Sequence, residues 1–370
     1  MWYSFDLGFT KMPVSLPVDG LKRRSFGNKW RKTVGSCVNL VEVWRGAFLE
    51  CIHRGRVVVC DFRGDVLAEW GDSSAVILPR SSSKMLQALP LIESGAAARF
   101  GLGFEQLALS CASHQGAHIH TDRVDAWLGV LGLGENDLCC GPQEPSALLE
   151  RNELVRGDKR FDRTHNNCSG KHTGFLTLNK HLGGGPDYVE PDHHVQQAVL
   201  AAFEEMSGET AAGYGIDGCS APNFACSLRG LATAMARMAN PDGLGVVRKG
   251  AANDLVAAMK AHPDLVAGQG RACTELMNAM DGSTVIKTGA EGVFIAILPE
   301  RGLGVALKIE DGATRASECA MATMLVRLGV ADCNHPAVQK RLQPTQYNFA
   351  GLQVGRIAPA ENFYASGALI

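Results

Sequence analysis

Long hydrophobic runs are missing from this sequence: no apolar stretch reaches the ~18 residues that a membrane-spanning helix needs. A dominant charge sign is missing too, since 36 Lys and Arg face 38 Asp and Glu, a formal net charge of −2. That balance leaves no electrostatic footprint for nucleic acid or an anionic membrane. Aromatic residues are scarce, at 6%. There is no internal repeat and no Ser/Pro-rich linker. These absences direct attention to a small-molecule partner and a cytoplasmic protein. What is present is ordinary globular composition: 370 residues, 46% hydrophobic and 20% charged, with 42 glycines. A chain of this length makes one large α/β domain or two lobes.

The 12 cysteines do not read as a disulfide framework, which belongs to short secreted chains led by a signal peptide. Reduced thiols are the expectation, with Cys139-Cys140, Cys37, Cys51, Cys60, Cys226, Cys319 and Cys333 as small buried hydrophobes. Residues 1–37 read as a floppy leader or a start codon placed too early. They carry Lys22, Arg23, Arg24, Lys29, Arg31 and Lys32 without periodicity, and Asp6 and Asp19 weigh against a transit peptide.

Strand patterns cover Val41–Leu49, Arg56–Phe62 and Val66–Trp70, then return at Val285–Lys287, Gly292–Leu298 and Gly304–Ile309. Helical periodicity covers Lys84–Ser94, Thr121–Leu131, Ala147–Val155, His193–Met206, Leu228–Ala239, Leu244–His262 and Ala313–Leu328. The expected fold is therefore α+β, with an antiparallel sheet assembled from both chain ends and a helical region between. The catalytic unit is expected over residues 38–345. The segment after Gln343, through residue 370, reads as a surface tail.

Chemistry is suggested first by Pro79-Arg80-Ser81-Ser82-Ser83-Lys84 at the entry to an apolar helix. Positions i and i+3 share a helical face, so Lys84 could serve Ser81 as the base that a serine nucleophile needs. The bland alternative is a helix cap followed by a solvated lysine. Lys287-Thr288-Gly289 closes a strand far downstream, and S-x-x-K followed by K-T-G is the outer pair of the penicillin-recognising signature. Its middle S-D-N element is absent; Ser113 and Asn166-Asn167 are candidates for the role.

A third cluster is His165-Asn166-Asn167-Cys168-Ser169-Gly170-Lys171-His172, ahead of an apolar helix. Downstream lies the turn-rich Asp217-Gly218-Cys219-Ser220. Cys168, Cys219 and Asp217 are zinc ligands by atom type, but their spacing matches no common metal motif, and paired thiols are the rival account. Ser169-Gly170-Lys171 is no phosphate loop, because His165 and His172 stand where Gly and Ser/Thr belong. His114, His118 and His120 are expected as solvated imidazoles in a helix-capping loop.

In order along the chain, Pro79-Arg80-Ser81 with Lys84, Cys111-Ala112-Ser113-His114, Asn167 to His172, Asp217-Gly218-Cys219, Gly270-Arg271-Ala272-Cys273 and Lys287-Thr288-Gly289-Ala290 resemble the asparaginase II family, the rhizobial, thermolabile type of L-asparaginase. The resemblance runs from Leu40 to about Gly355. It implies a fold similar to serine β-lactamases and glutaminases, a homodimer, and L-asparagine as substrate. It also implies two Ser–Lys tandems, Ser81 with Lys84 and Ser113 with Lys287. Cys168, Lys171 and Cys219 match the family's zinc ligands, with Asp217, Arg80 and Cys273 around the substrate. Ala117 departs from the acidic residue the family often carries after Ser-His. The competing functions are a glutaminase or penicillin-recognising hydrolase on a similar fold, and a non-catalytic zinc- or thiol-dependent binding protein.

Overall fold

The computed structural model describes residues 36–365, which belong to one compact unit. The expected leader therefore lies outside the described residues except for Ser36 and Cys37. Those two are tied down, because Asp72 N donates to Ser36 O and Arg54 Nη2 to Cys37 O.

One antiparallel sheet organises the unit. Its strands are β1 (Val38–Arg45), β2 (Phe48–Asp61), β3 (Val66–Trp70), β4 (Val285–Thr288), β5 (Val293–Leu298), β6 (Leu303–Ile309), β7 (Thr345–Tyr347) and β8 (Gln353–Pro359). The spatial order is β7-β8-β1-β2-β6-β5-β4, with β3 also paired to β2. The two chain ends thus meet in one sheet, as the α+β expectation required. Two expectations change. The patterned stretch Val41–Leu49 is split by a turn at Gly46, whose left-handed φ of +55° a glycine adopts without strain. The segment after Gln343 is no surface tail through residue 359. β8 lies inside the sheet between β7 and β1, pairing Val41 with Pro359 and Val43 with Ile357. Its glycines and prolines masked an alternation that buries Gly355, Ile357 and Pro359.

β5 and β6 are apolar on both faces and almost wholly buried. Such strands need cover on both sides. The helix Leu228–Ala239 lies against β6, β2 and β5, and the helix Thr314–Arg327 packs on β6, β1, β8 and β5. The first contact is close. A Cβ on Gly304 would sit 2.2 Å from Ala232 O and 2.2 Å from Ala236 N. Between the two halves of the sheet the chain forms the helical region, including Lys84–Glu93, His118–Val130, Ser169–Leu182, His194–Ser207 and Val246–Ala261. Shorter helices at Phe104–Ser110, Ala272–Ala279 and Pro336–Leu342 had too few turns to show a period. No helix among the described residues is long and apolar enough to cross a membrane.

Gly304→Ala drives its methyl into helix backbone that cannot rotate away. The expected cost is at the upper end of the roughly 1–3 kcal/mol typical of overpacking. In urea this appears as a lower unfolding midpoint with an unchanged slope, and an unchanged midpoint would show that the helix is not held against β6 in this way.

Candidate active site

A tight turn of 3-10 helix, Arg80–Ser83, leads into the helix Lys84–Glu93. Ser82 Oγ donates to Pro79 O at 2.7 Å and Ser83 Oγ to Arg80 O at 3.1 Å. Both hydroxyls are thus spent on the turn. Ser81 is half-buried and lines a cleft of ≈ 330 Å³. Lys84 is buried beneath it, with Nζ 3.1 Å from Ser113 Oγ, 3.1 Å from Cys168 Sγ and 3.5 Å from Asn167 O, and hydrogen-bonded to Ala112 O. Among the described residues no hydrogen bond joins Lys84 to Ser81. The expected i, i+3 pair is close in sequence, but the amine is drawn to Ala112 O, Ser113 Oγ and Cys168 Sγ instead.

Ser113 is where the two tandems meet. Lys287 Nζ lies 2.8 Å from Ser113 Oγ and 2.9 Å from Thr288 O. Burial pulls Lys287 from the usual lysine range down to about 7; nearby Cys273 opposes that shift and the Lys84 amine adds to it. A serine hydroxyl has one proton to give and two lone pairs to accept with. Held between two amines, Ser113 can take a proton from one and pass its own to the other. The K-T-G glycine brings this strand in. A Cβ on Gly289 would stand 2.6 Å from Pro79 O and 3.2 Å from Ser82 N, so the glycine makes room for the serine turn.

The sulfur cluster adjoins this relay. Cys168 immediately precedes the helix Ser169–Leu182, and Lys171 sits on its first turn. Cys219 comes from the loop after Ile216, where Ser220 adopts a left-handed φ of +70°. Lys171 Nζ donates to Cys219 Sγ at 3.1 Å, and Cys168 Sγ donates to Asn167 Oδ1 at 2.9 Å. The neighbouring Cys168 side chain holds the Cys219 thiol far below its usual range against the opposing effect of burial, with Lys171 and His172 assisting. Cys219 in turn, followed by burial, pushes Cys168 well up. Burial disfavours the Lys171 charge, but Cys219 and Cys168 together hold it as an ammonium. Among the described residues no three His, Cys, Asp or Glu side chains gather as a metal cage. Two sulfurs and an amine do converge, and by donor chemistry they fit zinc once the thiol and ammonium protons leave.

Arg80 has a positive φ of +56°, a conformation that costs a non-glycine residue energy and is typical of functional turns. Asn223 Oδ1 accepts its backbone N–H at 3.3 Å. Its guanidinium donates to Asp217 Oδ1 at 2.8 and 3.1 Å, and Asn223 Nδ2 donates to Asp217 Oδ2 at 3.3 Å. Burial would raise Asp217, but Arg80, Lys171 and the Gly218 N–H hold it below the usual carboxylate range. The expected substrate grips are therefore partners of each other on the cleft wall. Cys273 is buried, and its sulfur accepts the Thr288 N–H at 3.3 Å.

The histidine expectation is corrected. His118 and His120 lie on the helix His118–Val130, and only His118 is exposed. His114 and His120 are buried and stacked with centroids 4.8 Å apart. His114 Nδ1 accepts the Gly116 N–H, so its Nε2 donates to Ser169 Oγ at 2.9 Å, and Ser169 donates to Thr164 O. This ties the Ser113 loop to the Cys168 loop. Sequence reasoning missed the cleft residues Gly141, Pro142 and Gln143, which carry no motif; Gln143 Oε1 accepts the Asn167 N–H at 3.1 Å. It also missed the contact between Lys84 and Cys168, residues 84 apart in the chain.

No curated protein sequence matches the chain. Among solved structures, similarity is found to a putative beta-lactamase from Bacteroides dorei DSM 17855, with 12% identity over 69% of this chain and 84% of that chain and a TM-score of 0.41. It is also found to a beta-lactamase from Mycobacterium bovis (12% identity, 71% and 89% covered, TM-score 0.38) and to Mglu in its tris and glutamate form (13% identity, 80% and 64% covered, TM-score 0.44). The family model described as L-asparaginase II matches residues 41–359, a span that holds every site residue described above. The chain belongs to the L-asparaginase II family and is by class an amidohydrolase.

Proposed function

We propose that this chain hydrolyses the side-chain amide of L-asparagine, with Ser81 as nucleophile. The observation that carries the mechanism is the hydroxyl of Ser113 held between the Lys84 and Lys287 amines, beneath the cleft that Ser81 lines. Family membership supports the amide substrate. As Ser81 Oγ bonds to the amide carbon, its proton passes to Lys84, and Ser113 relays charge to neutral Lys287. The C–N bond breaks, nitrogen leaves as ammonia with the relayed proton, and a β-aspartyl ester remains. Water then attacks the ester, giving aspartate and restoring the Ser81 hydroxyl. Hydrogen bonds absent without substrate commonly tighten when it seats, which accommodates the missing Ser81–Lys84 bond. Arg80 and Asp217 offer paired charges for the α-carboxylate and α-ammonium of a free amino acid. Cys168, Lys171 and Cys219 would hold a zinc ion, which when bound supplies positive charge that orients substrate.

Ser113 as nucleophile is the second reading, favoured by its direct hydrogen bonds to both amines. Acyl-enzyme trapping separates the two. Ser81→Ala is expected to abolish the trapped ester and to lower kcat at least about 100-fold, whereas Ser113→Ala slows turnover but still traps ester. The reverse pattern would move the nucleophile to Ser113. Asparagine left inert while glutamine or a chromogenic β-lactam turns over would overturn the substrate.

Because Lys287 acts as a base near pH 7, kcat/KM should fall on the acid side as its amine is protonated. That limb should vanish in Lys287→Met. A limb that persists there belongs to another group. Ammonia release should also slow on chelation and recover with added zinc; full activity under chelation removes the metal from the mechanism.

A further inference from the structure

Gln143 has no role in the proposed mechanism, yet it lines the cleft together with Ser81, Arg80 and Asn167. Its side-chain amide is oriented by one contact: Oε1 accepts the Asn167 backbone N–H at 3.1 Å. A backbone N–H can only donate, so the partner atom is the oxygen and the amide cannot be turned round. Nε2, with two protons to give, meets no hydrogen-bond partner among the described residues. The acceptor end of the side chain is thus occupied by the protein, and the donor end is free. Asn167 repeats the pattern, with Oδ1 accepting from the Cys168 thiol at 2.9 Å and Nδ2 unpartnered among the described residues. Its orientation depends on the Cys168 proton, because a thiolate would draw the nitrogen instead. That of Gln143 depends on no proton.

The loop that carries Gln143 is tied down on both sides. Asn166 Nδ2 donates to Gly141 O at 2.7 Å, and Pro142 has its φ fixed by its own ring. Further on, Ala147 N donates to Gln115 O at 3.0 Å. Pro145 lies close against Gly116, where a Cβ would stand 3.2 Å from the proline side chain. A donor held in this way loses little freedom when a ligand arrives. Arg80 and Asp217 already satisfy each other, so recruiting either one disturbs an ion pair. The free N–H of Gln143 disturbs nothing. We propose that Gln143 is a substrate-binding residue whose Nε2 donates to a carbonyl or carboxylate oxygen of the substrate, the scissile amide or the α-carboxylate. This deepens the function proposed above and rests on an amino-acid amide as substrate.

Gln143→Glu removes the donor but keeps an oxygen for the Asn167 N–H, whereas Gln143→Met removes both. The proposal requires both variants to lose catalytic efficiency. Contact with the scissile carbonyl should lower kcat about 100-fold, as loss of an oxyanion donor does. Contact with the α-carboxylate should instead raise KM roughly 10-fold and leave kcat nearly unchanged. A loss in the Met variant that Glu does not share would reduce Gln143 to an anchor for Asn167 and overturn the proposal, as would unaltered kinetics in both. Glutamine-selective nitrogen-15 labelling separates the missing donor from the added charge of Glu. In the unaltered protein, inhibitory concentrations of aspartate should shift the side-chain amide signal that Gln143→Glu deletes. A signal left in place would overturn the proposal. If the Met variant fails to fold, Glu and the amide signal decide. Asparagine left inert by the unaltered protein sinks the substrate reading alone; the variants are then compared on whichever amide turns over, with its product as the titrant.

Discussion

Two lysine amines share one serine hydroxyl in a buried site, and much of the structure follows from the need to keep them there. Lys84 and Lys287 each hydrogen-bond to Ser113 Oγ, at 3.1 and 2.8 Å. Two ammonium groups on one hydroxyl lie at most about 6 Å apart and so repel by at least roughly 3 kcal/mol at an effective dielectric constant near 20. Burial adds its own penalty for charge, which is why Lys287 is drawn down to about 7. The Lys287 amine is thus available as a neutral base near physiological pH. A surface pair would have no such property.

Holding this arrangement requires parts of the chain that are remote in sequence. Lys84 stands at the head of a helix, Ser113 on the loop after the short helix Phe104–Ser110, and Lys287 on β4. The sheet supplies the rigid reference, since β5 and β6 are buried on both faces and β4 is paired to β5 along its length. Gly289 then lets the end of that strand close on the serine turn, while the Ser113 N–H is fixed by Val266 O at 2.9 Å. His114, through Ser169, binds the same loop to the thiol cluster.

The sequence made legible what local pattern encodes. Alternation and helical period located most of the sheet and the long helices, and the spaced motifs named Ser81, Lys84, Ser113 and Lys287 before any of them had a position. What remained hidden was set by contact at a distance. β8 reads as a loop because glycine and proline interrupt it, and only pairing with β1 makes it a strand. Cys273 carries a motif, but the motif does not reveal that its sulfur accepts the Thr288 N–H of the next strand. His120 looked solvated because polar neighbours flank it; stacking on His114 and a hydrogen bond from Nε2 to Asp264 O bury it instead. The Ser81–Lys84 pair was legible as a spacing, but the partners of Lys84 were not.

Cys168 shows why the relay and the sulfur cluster must be treated as one electrostatic unit. Its sulfur accepts from Lys84 at 3.1 Å, and it acts electrostatically on Cys219, which Lys171 also reaches. Asp217 feels Lys171 as well as Arg80, so the chain of contacts continues to the cleft wall. Any change in charge on the sulfurs is therefore felt at Lys84 one contact away, and through Ser113 at Lys287. In a medium of low dielectric constant such neighbours titrate together. The acid limb expected from Lys287 is accordingly a property of the joined cluster, and substitutions at Cys168 should displace it even though Cys168 does not touch Lys287 through any hydrogen bond in the network.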